Sequence, residues 1–144
     1  MAKEIYFEDV AIGTEMPKLV KSPLQKLNHV IYAGASGDFN PLHTDDDFAK
    51  AVGMKDGMIT HGMLVMGFVG QAVTNWIPKK NLKRFGVRFA GMTKPGNTIT
   101  VIGKVIDKKS QGGVNLITCE VTAVDETGDV KVTGSFDAAL PTKG

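Results

Sequence analysis

The feature that most constrains the fold is a long apolar segment that runs from Gly62 to Trp76. On a helix, its apolar side chains would cover nearly the whole circumference; they are Met63, Leu64, Val65, Met66, Phe68, Val69, Ala72, Val73 and Trp76. Such a helix has no face suited to water, so other parts of the protein must surround it. It is also too short to cross a bilayer, which takes about 20 residues. The segment therefore predicts a buried central helix and no membrane span.

The second half of the chain has the pattern of a β-sheet. Residues 84–91, 98–107, 114–124 and 130–140 carry alternating or β-branched apolar side chains, and turn sequences separate them. Those turns contain Pro95-Gly96, Gly112-Gly113 and Gly128. Short turns join antiparallel neighbours, and one apolar face per strand indicates a sheet that is packed on one side only. We expect four antiparallel strands whose polar side faces water.

The first half predicts two further helices. Ser22-Pro23 has the composition of an N-cap followed by the first helical residue, and helical spacing of apolar residues continues to Ile31. The second helix is short. Thr44 and Asp47 resemble a capping box at its start, and Gly53 can end it.

A curved antiparallel sheet wrapped around the long central helix accounts for both halves of the sequence. We therefore predict an α+β protein of the hot-dog fold, with one domain over residues 1–144. Gly67 and Gly70 would each cost a solvated helix about 1 kcal/mol. Their presence in the central helix indicates that the sheet, or the backbone of a partner, comes close there.

The composition excludes several classes of protein. The net charge is +2 and the basic residues are scattered, whereas a nucleic-acid-binding protein has a clustered basic face. The first ten residues lack the apolar core of a signal peptide. The single cysteine, Cys119, rules out an internal disulfide, and we expect it to be buried and unreactive. We predict a cytoplasmic protein that binds neither nucleic acid nor membranes, although its charge suits a small anionic ligand.

The residues best suited to chemistry lie in the loop between the first two helices. Pro41 keeps Asn40 out of the helical conformation, so this stretch is irregular. On such a loop Asp38 and His43 can converge on one point, whereas on a helix they would lie about 140° apart. A calcium loop is disfavoured because Leu42 stands where an oxygen ligand is needed, and no two histidines have the helical spacing of a zinc site. The residues alone leave open a capping role for Asp38 and a packing role for His43.

Three blocks of the sequence resemble the MaoC-like dehydratases, also called the (R)-specific enoyl-CoA hydratase or hydratase 2 family. The first and most specific block consists of Tyr32, Ser36, Gly37, Asp38, Asn40, Pro41, Leu42, His43 and Ala49. The second consists of Thr60, His61, Gly62 and Met63, and the third of Arg88, Phe89, Pro95, Gly96, Asn97 and Thr98. The resemblance covers nearly the whole chain. It implies the same hot-dog fold and a hydratase or dehydratase of fatty acyl thioesters.

The resemblance also implies roles for particular residues. Asp38 and His43 would be the catalytic acid–base pair, supported by Asn40. The backbone N–H of Gly62, at the start of the central helix, would donate a hydrogen bond to the oxyanion. One departure concerns Gly70, which we align with a serine that supports the catalytic aspartate in some members.

Further residues are candidates for contact with the substrate. They are His61, which we expect to orient the turn before the central helix, Met63 and Met66 for the acyl tail, and Arg84, Arg88 and Lys94 for phosphates of the carrier. Solvated charges on a strand face explain the three cations equally well. His29 lies outside every block, and we expect it on the surface.

No cofactor and no metal are expected, because coenzyme A or phosphopantetheine enters as part of the substrate. An open sheet edge predicts a homodimer joined through the sheets, with a heterodimer with a paralogue as the alternative. Two other functions remain open. A hot-dog thioesterase would use a carboxylate on or near the long helix, and residues 62–76 contain none. A non-catalytic accessory subunit that binds the acyl chain would not need Asp38 and His43, which are intact.

Overall fold

The computed structural model describes residues 3–144, so Met1 and Ala2 of the predicted domain lie outside the described residues. An antiparallel sheet packs against one side of the longest helix. The helices are α1 (Lys26–Ser36), α2 (Asp46–Ala51) and α3 (Gly62–Trp76). The strands are β1 (Leu19–Lys21), β2 (Leu82–Phe89), β3 (Ile99–Gln111), β4 (Val114–Val124) and β5 (Val130–Ala139), in the order β1-β3-β4-β5-β2. This is the predicted α+β arrangement. Across residues 3–144, none of the helices combines the length and the apolar character needed to cross a membrane.

Helix α3 has the predicted bounds, but the sheet covers only one of its sides. The buried residues recur every three or four positions and are Val65, Val69, Ala72 and Val73, none more than 2% exposed. Burying each valine contributes roughly 1.5–3 kcal/mol, so this stripe anchors the helix. Gly70 faces the sheet, where a Cβ would lie 3.8 Å from the Phe85 ring. Met63 and Gly67 are exposed, and no described atom would come within 4 Å of a Cβ at Gly67. A Cβ at Gly70 would make only an ordinary van der Waals contact, so within this chain the expected close approach is found at neither glycine.

The four predicted strands are all present, and a short fifth strand joins them. The bounds of β4 are those predicted, whereas β3 continues past the predicted end at residue 107 to Gln111. Gly112 and Gly113 have φ values of 59° and 77°, so they form a tight turn that lets Gln111 pair with Val114. Strand β1 has three residues, too few for a periodic pattern to reveal it.

One face of β4 is buried as predicted. Its inward residues are Ile117, Cys119, Val121 and Ala123, none more than 1% exposed. Burial raises the pKa of the Cys119 thiol to about 12. The thiolate, which is the reactive form, is therefore disfavoured, and this agrees with the unreactive role that the sequence predicts.

Helix α1 begins later than predicted. Its N-cap is Gln25 instead of Ser22. The cause is Leu24, whose N–H donates to the Asn97 carbonyl at 3.0 Å and whose carbonyl accepts from the Gly96 N–H at 2.7 Å. Because the Leu24 backbone is paired with this distant turn, the chain stays extended there and the helix starts only after it.

The buried side of α1 also differs from the apolar spacing of the sequence. His29 and Ala33 are buried, whereas Leu27 and Ile31 are each 60% exposed. The large apolar side chains of this helix therefore point away from the core of this chain.

The N-cap of α2 is Asp45 and not Thr44. The Asp45 carboxylate accepts from the N–H groups of Asp47 and Phe48 at 2.9 and 3.1 Å. Thr44 instead closes the preceding 3-10 turn. The predicted capping box is therefore wrong by one residue, because an aspartate directly after the threonine caps the helix. Gly53 follows the helix with a φ of 100°, as predicted for its stop.

A buried ion pair closes the hairpin between β4 and β5. Asp125 and Lys131 are less than 10% exposed, and their charged atoms are 3.0 Å apart. The other Asp125 oxygen accepts from the Thr127 hydroxyl and from the N–H groups of Thr127 and Asp129. The Thr127 hydroxyl, and after it Lys131, hold the pKa of Asp125 below its usual range. Since the Lys131 carbonyl accepts from the Gly91 N–H, this hairpin also fixes the chain that follows β2.

We expect Asp125→Asn to lower the free energy of unfolding at neutral pH, because the buried Lys131 ammonium loses its buried counter-charge and keeps only the exposed Asp129. The folded-state pKa of Asp125 lies below its unfolded-state value. Its contribution is therefore complete above the ordinary aspartate pKa of about 3.9 and is lost as the pH falls through the folded-state value. Urea unfolding from about pH 6 to about pH 2 should show the difference between wild type and variant shrinking. The control is Asp129→Asn, at a position that is 66% exposed beside the same lysine. If the difference in unfolding free energy between wild type and Asp125→Asn did not vary with pH, the role of the Asp125 charge would be contradicted.

Candidate active site

The loop that carries Asp38 is held by short-range hydrogen bonds. Gly37 ends α1 in the left-handed conformation, with a φ of 77°. The Asp38 Oδ1 atom accepts from the Asn40 N–H at 3.2 Å, and the Asn40 Oδ1 atom accepts from the Leu42 N–H at 3.0 Å. A 3-10 turn over Pro41–His43 follows. Asn40 thus shapes the loop twice, because its own N–H donates to the Asp38 carboxylate and its side chain accepts from the Leu42 N–H.

This turn brings Asp38 and His43 together. The His43 Nε2 atom lies 3.7 Å from Asp38 Oδ2, which is longer than a direct hydrogen bond but lets both groups contact one small molecule. The His43 Nδ1 atom lies 2.8 Å from the Ile59 carbonyl oxygen. Because a carbonyl only accepts, Nδ1 carries the hydrogen and Nε2 is the free nitrogen on the side of Asp38. The side chains are 12% exposed for His43 and 52% for Asp38, so solvent reaches the pair through the carboxylate.

His61 contacts both members of this pair. Its Nε2–H donates to the Asp38 backbone carbonyl at 3.1 Å, and its ring stacks on the His43 ring with centroids 3.9 Å apart. The ring of Tyr32 meets it edge-on at 4.9 Å. His61 is 2% exposed, and within residues 3–144 its Nδ1 atom has no hydrogen-bond partner. The contacts of its ring with the Asp38 carbonyl and with the His43 ring suit His61 to orienting the pair.

His29, expected on the surface, is wholly buried. Its Nδ1–H donates to the Gln25 carbonyl at 2.9 Å, and its Nε2 atom then accepts from the Thr60 hydroxyl at 2.7 Å. Burial lowers the pKa of His29, in keeping with a neutral ring that fixes Thr60, the residue before His61. The surface prediction was wrong because the partner, Thr60, lies 31 positions away in sequence. The presence of Thr60 in the second family block was the one available signal.

The fold also gathers Asp38, His43 and His61, although no spacing of the histidines along the chain suggests a metal site. One potential ligand atom of each lies within 4.8 Å of the others. The two imidazole planes, however, are stacked at 28° to one another. Their in-plane lone pairs cannot converge on one ion at the distance of about 2.0–2.1 Å that zinc–nitrogen bonds require. We therefore expect no metal at this cluster, for a reason of geometry.

Gly62 begins α3 beside the two histidines. As the first helical residue it has an N–H without an intrahelical acceptor, at the positive end of the helix dipole. Gly62 and His43 line a cavity of about 180 Å³. Its remaining walls are mostly apolar and include Ile59, Val65, Phe89, Met92 and Val132. A Cβ at position 62 would lie 3.2 Å from the Phe89 ring, so a side chain there would crowd this cavity.

The other predicted substrate residues do not line this cavity. They are Met63, Met66, Arg84, Arg88 and Lys94. Arg84 binds Asp137 at 2.6 Å, and this contact holds the pKa of the Asp137 carboxyl below its usual range. Lys94 forms an ion pair with Asp56. A substrate phosphate would have to compete with these carboxylates, and the roles of the five residues stay predictions.

A family model accounts for most of the chain. The model described as the MaoC like domain matches residues 9–127, a span that contains the loop, both histidines of the stack and the start of α3. The chain belongs to the MaoC-like family. The resemblance inferred from the three sequence blocks is thereby confirmed.

Two curated relatives of this MaoC-like chain differ greatly in length. The (R)-specific enoyl-CoA hydratase of Rhodospirillum rubrum is 28% identical over 145 residues, which cover 96% of this chain and 94% of the relative. Peroxisomal multifunctional enzyme type 2 of Mus musculus is 32% identical over 138 residues, which cover 94% of this chain and 18% of the relative. The chain thus spans less than a fifth of one curated relative and almost all of another.

A solved structure shares the fold of this MaoC-like chain. One chain of the ChsH1–ChsH2 complex from Mycobacterium tuberculosis superposes with a TM-score of 0.76 at 26% identity, and the match covers 90% of this chain and 98% of that chain. Since the match includes nearly the whole sheet-and-helix unit, the predicted hot-dog fold is confirmed.

We expect His29→Phe to lower the free energy of unfolding by about 1–3 kcal/mol, because the buried Thr60 hydroxyl loses its acceptor. Thr60→Val should also destabilise, since it leaves His29 Nε2 without a donor. The double variant should lose less free energy of unfolding than the two single variants lose together, because neither polar partner then remains. Urea unfolding of all four proteins measures this coupling; strictly additive losses would show that the His29–Thr60 hydrogen bond contributes nothing.

Proposed function

We propose that this chain catalyses the reversible hydration of trans-2-enoyl thioesters to (R)-3-hydroxyacyl thioesters in fatty acid metabolism. The observation that carries the proposal is the placement of Asp38 Oδ2 and His43 Nε2, 3.7 Å apart beside the first turn of α3. The full-length match to a protein named (R)-specific enoyl-CoA hydratase supports the same reaction.

The geometry suits a water molecule held between the two side chains. The free Nε2 of His43 and the Asp38 carboxylate can both accept a proton from it, and one of them can return a proton to C2 of the substrate. We assign Asp38 to activating the water and His43 to orienting it and transferring the proton. The two groups act as a coupled pair, and His61, which contacts both residues, holds them in position.

The negative charge of the reaction develops on the thioester oxygen, and Gly62 is placed to stabilise it. Its N–H has no acceptor in the helix, and the lack of a Cβ leaves room for the thioester. Removing a donor of this kind costs other enzymes roughly 3–4 kcal/mol. No separate cofactor enters the proposal, because coenzyme A or phosphopantetheine is part of the substrate. A cytoplasmic location stays a prediction from the sequence.

Two other functions share the fold. A thioesterase would use a carboxylate on or near the long helix; α3 itself carries none, and the carboxylate beside its first turn, Asp38, faces His43. An accessory subunit that only holds the acyl chain would have no need for the ordered Asp38–His43 pair. The hydratase assignment gives a role to Asp38, His43 and the Gly62 N–H together.

We expect the protein to hydrate crotonyl-CoA, measured as loss of enoyl absorbance. Asp38→Asn and His43→Gln should each lower kcat by about 100-fold to 10,000-fold, the usual contribution of a positioned acid or base. Asp47→Asn, on the neighbouring helix α2, is the control. Wild-type kcat in either dyad variant would refute the dyad, and release of free thiol without hydration would favour the thioesterase.

We propose further that the chain forms a homodimer joined through its sheets. Strand β2 pairs with β5 on one side and with no other strand of residues 3–144, so its outer backbone groups are available to a second copy. The similar chain of the ChsH1–ChsH2 complex comes from an assembly of two named proteins, and a heterodimer with a paralogue is the alternative.

Light scattering should give about twice the 15.4 kDa mass of the chain. The double variant Leu27→Lys/Ile31→Lys changes two residues of α1 that are each 60% exposed, and it should remain a dimer if the sheets form the interface. A monomeric wild type would contradict the proposed dimer. A monomeric double variant of a dimeric wild type would show that the interface includes α1 instead of the sheets alone.

A further inference from the structure

We propose that Thr60 is a positioning residue for the hydration, and that its hydrogen bond to His29 fixes the place of the Asp38–His43 pair relative to the Gly62 N–H. The inference rests on the proposed hydratase function. It gives a buried contact between α1 and the segment before α3 a part in the reaction, in addition to its part in stability.

Residues 59–62 form a short segment, which we call the strap, that contacts both members of the dyad. The Ile59 carbonyl accepts from the His43 Nδ1–H at 2.8 Å, and the His61 Nε2–H donates to the Asp38 carbonyl at 3.1 Å. The last residue of the strap begins α3 and carries the proposed oxyanion donor. A shift of the strap would therefore change the place of the dyad relative to that donor.

Thr60 joins the strap to two other parts of the fold. Its N–H donates to the carbonyl of Thr93, in the chain between β2 and β3, at 2.7 Å. Its hydroxyl lies 2.7 Å from the Nε2 atom of His29, on α1. All three residues are buried, so bulk water does not compete for these hydrogen bonds. The strap is therefore held on two sides through this one residue.

The Thr60 hydroxyl is the donor in its bond to His29. The His29 Nδ1 atom lies 2.9 Å from the Gln25 carbonyl oxygen, which only accepts, so Nδ1 carries the hydrogen and Nε2 is the acceptor. Burial lowers the pKa of His29 and so favours this neutral form of the ring. Thr60→Ser would therefore keep the bond, whereas Thr60→Val would keep the shape of the side chain and remove the donor.

The spacing that Thr60 fixes matters because one substrate must reach both sets of catalytic groups at once. In the proposed reaction, the thioester oxygen lies at the Gly62 N–H while C2 and C3 lie beside the dyad. Without the hydroxyl bond of Thr60, the strap and the dyad loop can shift, whereas the valine stripe still holds α3 against the sheet. A displacement of about 1 Å at reacting groups can lower a rate by about 100-fold. The loss should appear in kcat, since this geometry is needed in the transition state.

Steady-state kinetics with crotonyl-CoA test this role, at a temperature at which circular dichroism shows every variant to be folded. We expect Thr60→Val to lower kcat by about 10-fold to 100-fold with little change in KM, and Thr60→Ser to keep most of the wild-type kcat. His29→Phe removes the acceptor of the same bond and should lower kcat to a similar extent. The matched control is Val121→Ala, which truncates a core valine that is 1% exposed, on β4 and outside the cavity beside the dyad. It should lose stability and keep its kcat.

Nitrogen NMR of protein that is isotopically labelled in its histidines gives a measurement that does not depend on activity. In the wild type, the spectrum of His43 should be that of the tautomer with the hydrogen on Nδ1, which the Ile59 carbonyl selects. Thr60→Val should give a mixture of the two neutral tautomers at His43, because the strap no longer holds that carbonyl in place. Thr60→Ser should give the wild-type spectrum.

Either a wild-type kcat or a wild-type His43 spectrum in Thr60→Val would overturn the positioning role. An equal loss of kcat in Val121→Ala or in Thr60→Ser would overturn it as well, because the effect would then not come from the hydroxyl bond. If the wild type hydrates no enoyl thioester, the proposed function itself is refuted, and the His43 spectra alone decide whether Thr60 positions the dyad.

Discussion

The contact between the valine stripe of α3 and the sheet is the interaction on which the position of every functional group depends. Val65, Val69 and Val73 are each 1% exposed or less, and their burial fixes the helix lengthwise and in rotation. The first turn of the helix is therefore held beside Phe89, whose ring would lie 3.2 Å from a Cβ at Gly62. Val65 belongs both to this stripe and to the cavity wall, so the same packing that stabilises the fold shapes the space beside the dyad.

Local patterns in the sequence were enough to predict the elements that are fixed locally. The bounds of α3 and β4 and the loop with Asp38 and His43 follow from apolar spacing and from one proline. The start of α1 could not be predicted, because it depends on the pairing of Leu24 with Gly96 and Asn97, far along the chain. The same holds for His29, whose burial depends on a hydroxyl 31 positions away.

The sequence predicts that the apolar helix is surrounded by protein, and a single chain covers only one side of it. The sheet covers the side with the valines, whereas a Cβ at Gly67 on the other side would have no described atom within 4 Å outside its own helix backbone. Leu27 and Ile31 of α1 are likewise exposed. Helical periodicity reveals that a face is apolar, but it cannot distinguish a face buried by the same chain from one that meets a partner or a ligand. This is why the pattern predicted the helix well and its surroundings only in part.

The hydrogen bond from His43 Nδ1 to the Ile59 carbonyl has a consequence for the path of the proton. Because His43 Nδ1 is hydrogen-bonded to the backbone, the imidazole does not pass a proton from one nitrogen to the other. A proton that is accepted at Nε2 must also leave from Nε2. In the proposed reaction, a proton accepted by His43 therefore stays on the side of the ring that faces Asp38. The new C–H and C–O bonds would then form on one face of the planar enoyl group.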